Sequence, residues 1–466
     1  MRNATRVFRL GGRAEQWPLL EDLLRSQGYV FTELPFYSGA RLLTREPLPL
    51  GASLAARFGL IYIQDASSML PALALARKLS EPEKTRPGAE PSTSFPPARG
   101  ATVLDLCASP GGKSALLARL LGDNSLILSN EPSPGRLATL RRNLELLNIF
   151  NAATLGLDGK GISPPAGFAG FDAILLDPPC SGWGTAEKHP RVLSLWRGDK
   201  VKPLIGLQRM LLRTAFRLLQ PGGVLSYSTC TVNILENEEQ IRWALAELSS
   251  EAGGFFPELL PLEPFPGFCL EPVPDSFPDC AGTLRIARRS GLAQGFYLAL
   301  LRKAPTENPA RRPSPSSSSP PGASGELPLR SIASPLLEPG LLPPGSLVFR
   351  QSGRRAGERA GLYFQHALGG ELFPESFPRR DFLLGRGGGE DPASFQPDPG
   401  LHGLMPGPEE ARKRGAELLQ AEEPAPILAL CSGQSLRLET KGREVGLYYK
   451  DLPLRRLKSR GGRVLL

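Results

Sequence analysis

The chain has 466 residues, too many for one ordinary domain, so two or three domains of roughly 100 to 200 residues are expected. A net charge of +9 and a pI near 9.4 favour a polyanionic partner, because Lys and Arg neutralise phosphates and release counterions; an arginine-rich proteome is the bland alternative until a local basic patch is found. Six cysteines with no CxxC pair speak against a zinc knuckle, a bound metal or a secreted disulfide framework, and no apolar signal core or apolar run of about 18 residues occurs, which leaves a soluble, cytoplasmic reading.

Residues 1–80 read as a small N-terminal α+β segment: strand-like RVFRL, helical WPLLEDLLRSQG, strand-like YVFTELPF, then GLIYIQDASSMLPALALA as a strand feeding a buried helix. The 48 prolines and 51 glycines concentrate in punctuation, and residues 81–100 read as a polar, proline-rich loop insertion. From 101 to 303 the period becomes alternating α/β. ATVLDLC, SLILSNE, AATLGLD, FDAILLD and GGVLSYST are apolar runs of the kind buried on both faces of a parallel sheet, with helices between them. LRIARRS and GFYLALLRK read as a closing antiparallel pair, so the whole is an open, mostly parallel α/β sheet with helices on both faces. Residues 304–326 are too poor in apolar side chains to fold and read as a disordered linker. Residues 327–466 return to short strands and read as a separate β-rich module, whose stretch from Lys441 to Arg463 holds eight basic residues beside Tyr448 and Tyr449, the local patch sought above.

The chemistry-bearing residues gather at the ends of the predicted strands. Cys107 to Lys113 reads CASPGGK, where Gly111 and Gly112 let backbone amides at a helix N-terminus approach a ligand, although it matches neither a P-loop nor a dinucleotide fingerprint. Glu131 ends the second strand, where an acid binds ribose hydroxyls; Asp158 and Asp177 end the third and fourth. A nucleoside cofactor without a phosphate cradle fits this edge. Cys180 follows Asp177 and two prolines, and Cys230 ends the fifth strand beside a predicted helix N-terminus that would lower its pKa. Two thiols on adjacent strand ends suggest one site, whereas Cys269, Cys280 and Cys431 read as packing residues.

DLCASPGGK, FDAILLDPPCSG and YSTCT, in this order and with GLIYIQDASSMLP upstream, resemble the motifs of the RNA 5-methylcytosine methyltransferases of the Sun/RsmF-like (RsmB/NOP-type) family over about residues 6–303. NEPSPGRL at 130–137 is most similar to the branch acting on bacterial 16S rRNA, and residues 429–463 resemble that branch's PUA-like module. The resemblance implies a class I, Rossmann-like methyltransferase fold with a mostly parallel seven-stranded sheet, a C-terminal PUA-like RNA-binding domain and S-adenosyl-L-methionine as cofactor. It implies that Cys107, Ala108, Ser109, Pro110, Gly111, Gly112 and Lys113 surround the methionine part, Glu131 the ribose, Asp158 the adenine and Asp177 the sulfonium end, with Arg136 as a further contact or a solvated helix arginine. Carbon 5 of cytosine is a poor nucleophile, so a thiolate adds first at carbon 6. By resemblance Cys230 is that nucleophile, Cys180 assists proton removal and release, and Asp177 holds the base edge. The residues alone do not rank the two cysteines.

The implied partner is rRNA, as naked RNA or within the small ribosomal subunit, for a monomeric enzyme with no membrane. Two alternatives stay open: a cytosine in tRNA or elsewhere in rRNA, or a non-catalytic RNA-binding or ribosome-assembly factor that has kept the fold. Trp183 and His189 stand where Glu and Asp are usual, Lys188 is a candidate phosphate contact, and AQGFY replaces the commoner TDGFF. The expected chain also starts after the family's helical extension and ends before the usual tail, with less RNA-binding surface.

Overall fold

The structure is a computed structural model. It describes residues 6–81, 100–187, 189–195, 198–251, 254–287, 292–305, 326–327, 334–350, 361–373, 378–386, 396–438 and 442–466. All but the ends of the expected insertion 81–100 and linker 304–326 lie outside the described residues, as does Lys188.

The N-terminal strands β1 (Arg6–Leu10), β2 (Val30–Glu33), β3 (Ala40–Arg45) and β4 (Ile61–Ile63) form an antiparallel sheet of order β2-β3-β1-β4. Helix α1 (Trp17–Ser26) buries Leu20, Leu23 and Leu24 beside it, and the single turn α2 (Leu54–Arg57) is capped by the Ser53 hydroxyl, which accepts from the Ala56 amide. Helix α3 (Leu70–Ser80) is buried continuously from Leu70 to Ala76, which explains an apolar run without a polar stripe.

The central sheet is built from β5 (Thr102–Asp105), β6 (Leu126–Asn130), β7 (Ala152–Leu155), β8 (Phe171–Leu176) and β9 (Leu219–Thr229), which are parallel in the spatial order β9-β8-β5-β6-β7. Helices α3, α4 (Gly112–Leu121) and α5 (Pro134–Leu146) contribute to the core on one face. After the turn α6 (Val192–Leu195), helices α7 (Lys202–Leu218) and α8 (Glu238–Glu251) fill the other. The expected closing pair is present as β12 (Leu284–Ile286) and β13 (Phe296–Pro305), antiparallel and seated beside β9.

Among the described residues the sheet has ten strands, however, where seven were expected. The additions are β10 (Phe255–Leu260) on the far half of β13, β11 (Leu270–Glu271) on β12, and Arg379–Arg380, which pairs with β7 from far along the chain. Two-residue strands carry no periodicity, and the proline inside β10 marks an edge strand rather than a core one.

From residue 326 onward the described residues form two five-stranded sheets. One joins Glu326–Leu327, Gly345–Arg350, Gly361–His366, Phe382–Arg386 and Gln396–Pro397; it meets the end of α5, where Phe150 and Phe382 lie edge to face with ring centroids 4.7 Å apart. The other joins Leu418–Ala421, Glu444–Tyr449, Leu452–Arg460, Arg463–Leu465 and Leu436–Arg437. It shares one apolar core with the N-terminal sheet, Ile427, Leu447 and Leu457 packing with Phe8, Leu20 and Leu54. Asp22 fixes this contact, accepting from the Tyr449 hydroxyl at 2.8 Å and the Lys450 ammonium at 2.6 Å.

Candidate active site

The turn from β5 into α4 is tight and built on glycine. The Ala108 amide donates to Asn130 O at 2.8 Å, Ser109–Pro110 is cis, and Gly111 takes φ +102°. A Cβ at Gly111 would lie 2.9 Å from Leu140 Cδ1, and one at Gly112 would lie 2.7 Å from Tyr62 Cε1. Only glycine fits both positions, and no side chain caps the N-terminus of α4. Asp105, fully buried, accepts from the Ser114 hydroxyl at 2.6 Å, while its other oxygen has no partner among the described residues. Burial pushes its pKa up to about 7, against the Ser114 bond and the nearby Lys113. Burial, with Asp105 alongside, likewise pushes the Cys107 thiol up, so that this cysteine stays protonated.

Glu131 is buried and fixed at two points: it accepts from the Ser133 amide at 2.9 Å and pairs with Arg136 at 3.3 Å. Arg136 is a half-exposed bracket, since its guanidinium also donates to Ser109 O at 3.2 Å. Asp158 is exposed; it accepts from the Lys160 amide at 3.1 Å, and that bond, with the Lys160 ammonium, holds its carboxyl below the usual range.

The two thiols meet. Because β8 and β9 are neighbouring parallel strands, the turns leaving them converge, and Cys180 Sγ and Cys230 Sγ lie 3.2 Å apart. The hydrogen bond from Cys180 lowers the Cys230 pKa, helped by Lys113; the same bond, with burial, raises Cys180. Of the two thiols Cys230 is therefore the one that ionises more readily, and Cys180 the one that holds its proton more tightly. The helix expected next to Cys230 begins only at Glu238, after the turn Ile234–Glu236, so the neighbouring thiol, not a helix terminus, is the main cause of the shift. Asp177 pairs with the Lys113 ammonium at 2.5 Å and accepts from the Ser228 hydroxyl at 3.0 Å. Burial works against the Lys113 charge, but Asp177, Asp105 and Cys230 outweigh it and its pKa ends above the ordinary lysine value.

A buried carboxylate that the sequence pattern did not mark ties these turns together. Glu236, with no exposed surface, accepts from the Ser181 amide (2.9 Å), the Ser181 hydroxyl (2.5 Å), Gln208 Nε2 (3.0 Å) and Asn233 Nδ2 (2.9 Å). Ser181 follows Cys180, Thr231 follows Cys230, and their hydroxyls are 2.7 Å apart. Gly184 closes the far side: its amide donates to Cys230 O, its carbonyl accepts from Gly295, and a Cβ would meet Gly295 O at 2.0 Å. Trp183, just before it, keeps its buried indole N–H without a partner among the described residues, and His189 is exposed. Of the remaining cysteines Cys280 is buried, its thiol pushed up to about 12 by burial, whereas Cys269 is exposed and Cys431 half-buried. Among the described residues no group of three or more His, Cys, Asp or Glu could hold a metal ion, and no helix is long and apolar enough to cross a membrane.

Residues 92–252, which carry the thiol pair, the Lys113–Asp177 ion pair and the Glu236 network, match the family model described as 16S rRNA methyltransferase RsmB/F. A solved methyltransferase homolog from Pyrococcus horikoshii is 30% identical, with 65% of this chain and 87% of that one covered and a TM-score of 0.50. The chain belongs to the RsmB/F methyltransferase family. A curated relative, ribosomal RNA small subunit methyltransferase F of Salmonella heidelberg, is 35% identical over 292 residues, 60% of this chain and 53% of that protein. The chain thus spans about half the length of the curated relatives it matches. NSun6 from Pyrococcus horikoshii, at 19% identity and a TM-score of 0.50 over 66% of this chain and 92% of that one, shares the fold. Within the RsmB/F frame the paired thiols, the Lys113–Asp177 ion pair and the glycine turn all stand at the carboxyl ends of the parallel strands, where open α/β sheets bind ligands.

Proposed function

We propose that this chain is an S-adenosylmethionine-dependent RNA cytosine carbon 5 methyltransferase acting on small-subunit rRNA. The observation that carries the reading is the 3.2 Å contact between Cys180 and Cys230, in which the Cys230 pKa is lowered and that of Cys180 raised. The cofactor would sit at the β5–α4 turn: no side chain caps the N-terminus of α4, and one oxygen of the buried Asp105 lacks a partner among the described residues. Cys107 to Lys113, Glu131, Arg136 and Asp158 would hold it. When bound, it supplies an electrophilic methyl group on a sulfonium.

The Cys230 thiolate adds to carbon 6 of the target cytosine, breaking the 5,6 double bond and placing electron density on carbon 5, which takes the methyl group. Asp177, oriented by Lys113 and Ser228, accepts from the amino edge of the base. Once Cys230 is bonded to carbon, the chief cause raising the Cys180 pKa is gone, so Cys180 gives its proton to solvent water and its thiolate then takes the carbon 5 proton. Elimination then restores the double bond and frees the Cys230 thiolate.

The last five-stranded sheet, with Arg455, Lys458, Arg460 and Arg463 on its strands, acts in this reading as the PUA-like RNA grip of a cytoplasmic monomer. Incubation with labelled S-adenosylmethionine and small-subunit particles lacking the modification should label rRNA in a Cys230-dependent way, and Cys180→Ala should accumulate a covalent protein–RNA adduct. An adduct trapped by Cys230→Ala instead reverses the roles, and no label in any RNA favours a binding factor.

A further inference from the structure

A groove of about 850 Å³ opens away from the thiols, where α5, the tips of β6 and β7, the Pro378–Leu383 segment and Leu454–Arg455 of the last sheet converge. Arg57, Arg141, Arg142, Arg380 and Arg455 line it against two acids, Glu145 and Asp398. A sixth arginine, Arg379, is buried and held by Asp381 and Phe373 O. Arg57 and Arg142 are exposed, and Arg141, Arg380 and Arg455 are half-buried. Several are braced from behind: Arg57 donates to Cys431 O at 3.2 Å, Arg141 to the Thr154 hydroxyl at 3.0 Å, and Arg380 lies 3.8 Å from Glu145. Neither Arg142 nor Arg455 has a carboxylate within 4.0 Å among the described residues, since their ion pairs are absent there. Between the arginines the wall is apolar, with Pro134, Leu137 and Leu401.

We infer that this groove binds the sugar–phosphate backbone of the RNA segment flanking the target cytosine, an inference that rests on the RNA-substrate reading. Guanidinium groups on several separate elements match spaced phosphates rather than one anion, and the apolar wall suits bases or ribose faces. The position also fits. The groove begins at Pro132 and Gly156, just past the ends of β6 and β7, on the sheet edge that carries Cys180 and Cys230. From β7 to β8 is three strand steps, about 14 Å, within reach of a few nucleotides. The site would unite the N-terminal segment, the catalytic sheet and both C-terminal sheets on one strand of RNA.

The test is the full chain carrying Arg142→Glu and Arg455→Glu, titrated by fluorescence anisotropy against a labelled small-subunit rRNA transcript at several salt concentrations. The slope of log affinity against log salt should fall by about two, and affinity by about tenfold or more, as for two lost phosphate contacts. Urea unfolding and calorimetric binding of S-adenosylhomocysteine should match the wild type. An unchanged slope overturns the inference, as does weaker S-adenosylhomocysteine binding with unchanged RNA binding, which would give the groove to the cofactor. Tight binding of an acidic peptide but not RNA would assign it to a protein partner. If the wild-type chain itself binds no RNA, the functional reading fails and the inference falls with it, whereas wild-type binding with an unchanged slope in the variant overturns the groove alone.

Discussion

Removing the Glu236 carboxylate should loosen both thiol-bearing turns at once. In Glu236→Ala the Ser181 amide and Asn233 Nδ2 lose their carboxylate acceptor, whereas the Ser181 hydroxyl keeps Thr231 and Gln208 keeps Pro179 O at 3.0 Å. Two stranded donors at about 1–3 kcal/mol each, plus the small void, give a loss of about 3–5 kcal/mol. Glu236→Gln keeps the oxygen facing the Ser181 amide and Gln208 but turns an NH₂ toward Asn233 Nδ2, a donor–donor conflict costing about 1–2 kcal/mol. Urea denaturation reads stability, and peptide-resolved alkylation with iodoacetamide reads the two thiols. Both variants should be destabilised, Ala more than Gln, and the reactivity difference between Cys180 and Cys230 should shrink because their spacing is no longer held. Stability within about 1 kcal/mol of wild type in both, with unchanged thiol reactivities, would refute the reasoning.

The thiol pair makes a reciprocal prediction: Cys180→Ala removes the donor to Cys230, so the pH profile of Cys230 alkylation should move to higher pH, and an unmoved profile would show that Lys113 alone lowers that thiol. His402 sets an acid limit. It is buried beside Asn148 and Gly400, and burial lowers its pKa from 6.5 to about 4. A depressed folded-state pKa means its contribution is present above pH 6.5 and lost as pH falls toward 4, about 3 kcal/mol in all. Asp105, raised to about 7, runs the other way: its contribution is present below about pH 4 and lost as pH rises through 7. Comparing urea unfolding of wild type and His402→Asn across pH 4 to 7 should show a shallower acid loss in the variant, and equal slopes would discard the assignment.

What the chain discloses in advance follows from where each contact is written. Parallel strands buried on both faces are spelled as continuous apolar runs, so β5, β6, β7, β8 and β9 could be read one by one, together with the acids and glycines at their ends. The meeting of Cys180 and Cys230 was legible for the same reason: the crossover through α7 brings β9 beside β8, and each cysteine lies in the turn that leaves its strand. Glu236 was hidden because ENEEQ has the composition of a solvated helix face, yet Glu236 and Glu238 are fully buried. Their partners come from elsewhere, Ser181 and Gln208 for one and Arg285, at 2.6 Å, for the other. Local periodicity cannot report a partner 28 or 55 residues away. The same limit hid the pairing of Arg379–Arg380 with β7 and the docking of the last sheet on the first. A buried carboxylate is tolerated only where several chain segments bring donors to it, so Glu236 binds the attacking turn, the proton-accepting turn and α7 into one unit. The asymmetry between the thiols therefore depends on tertiary closure around an acid that touches neither sulfur.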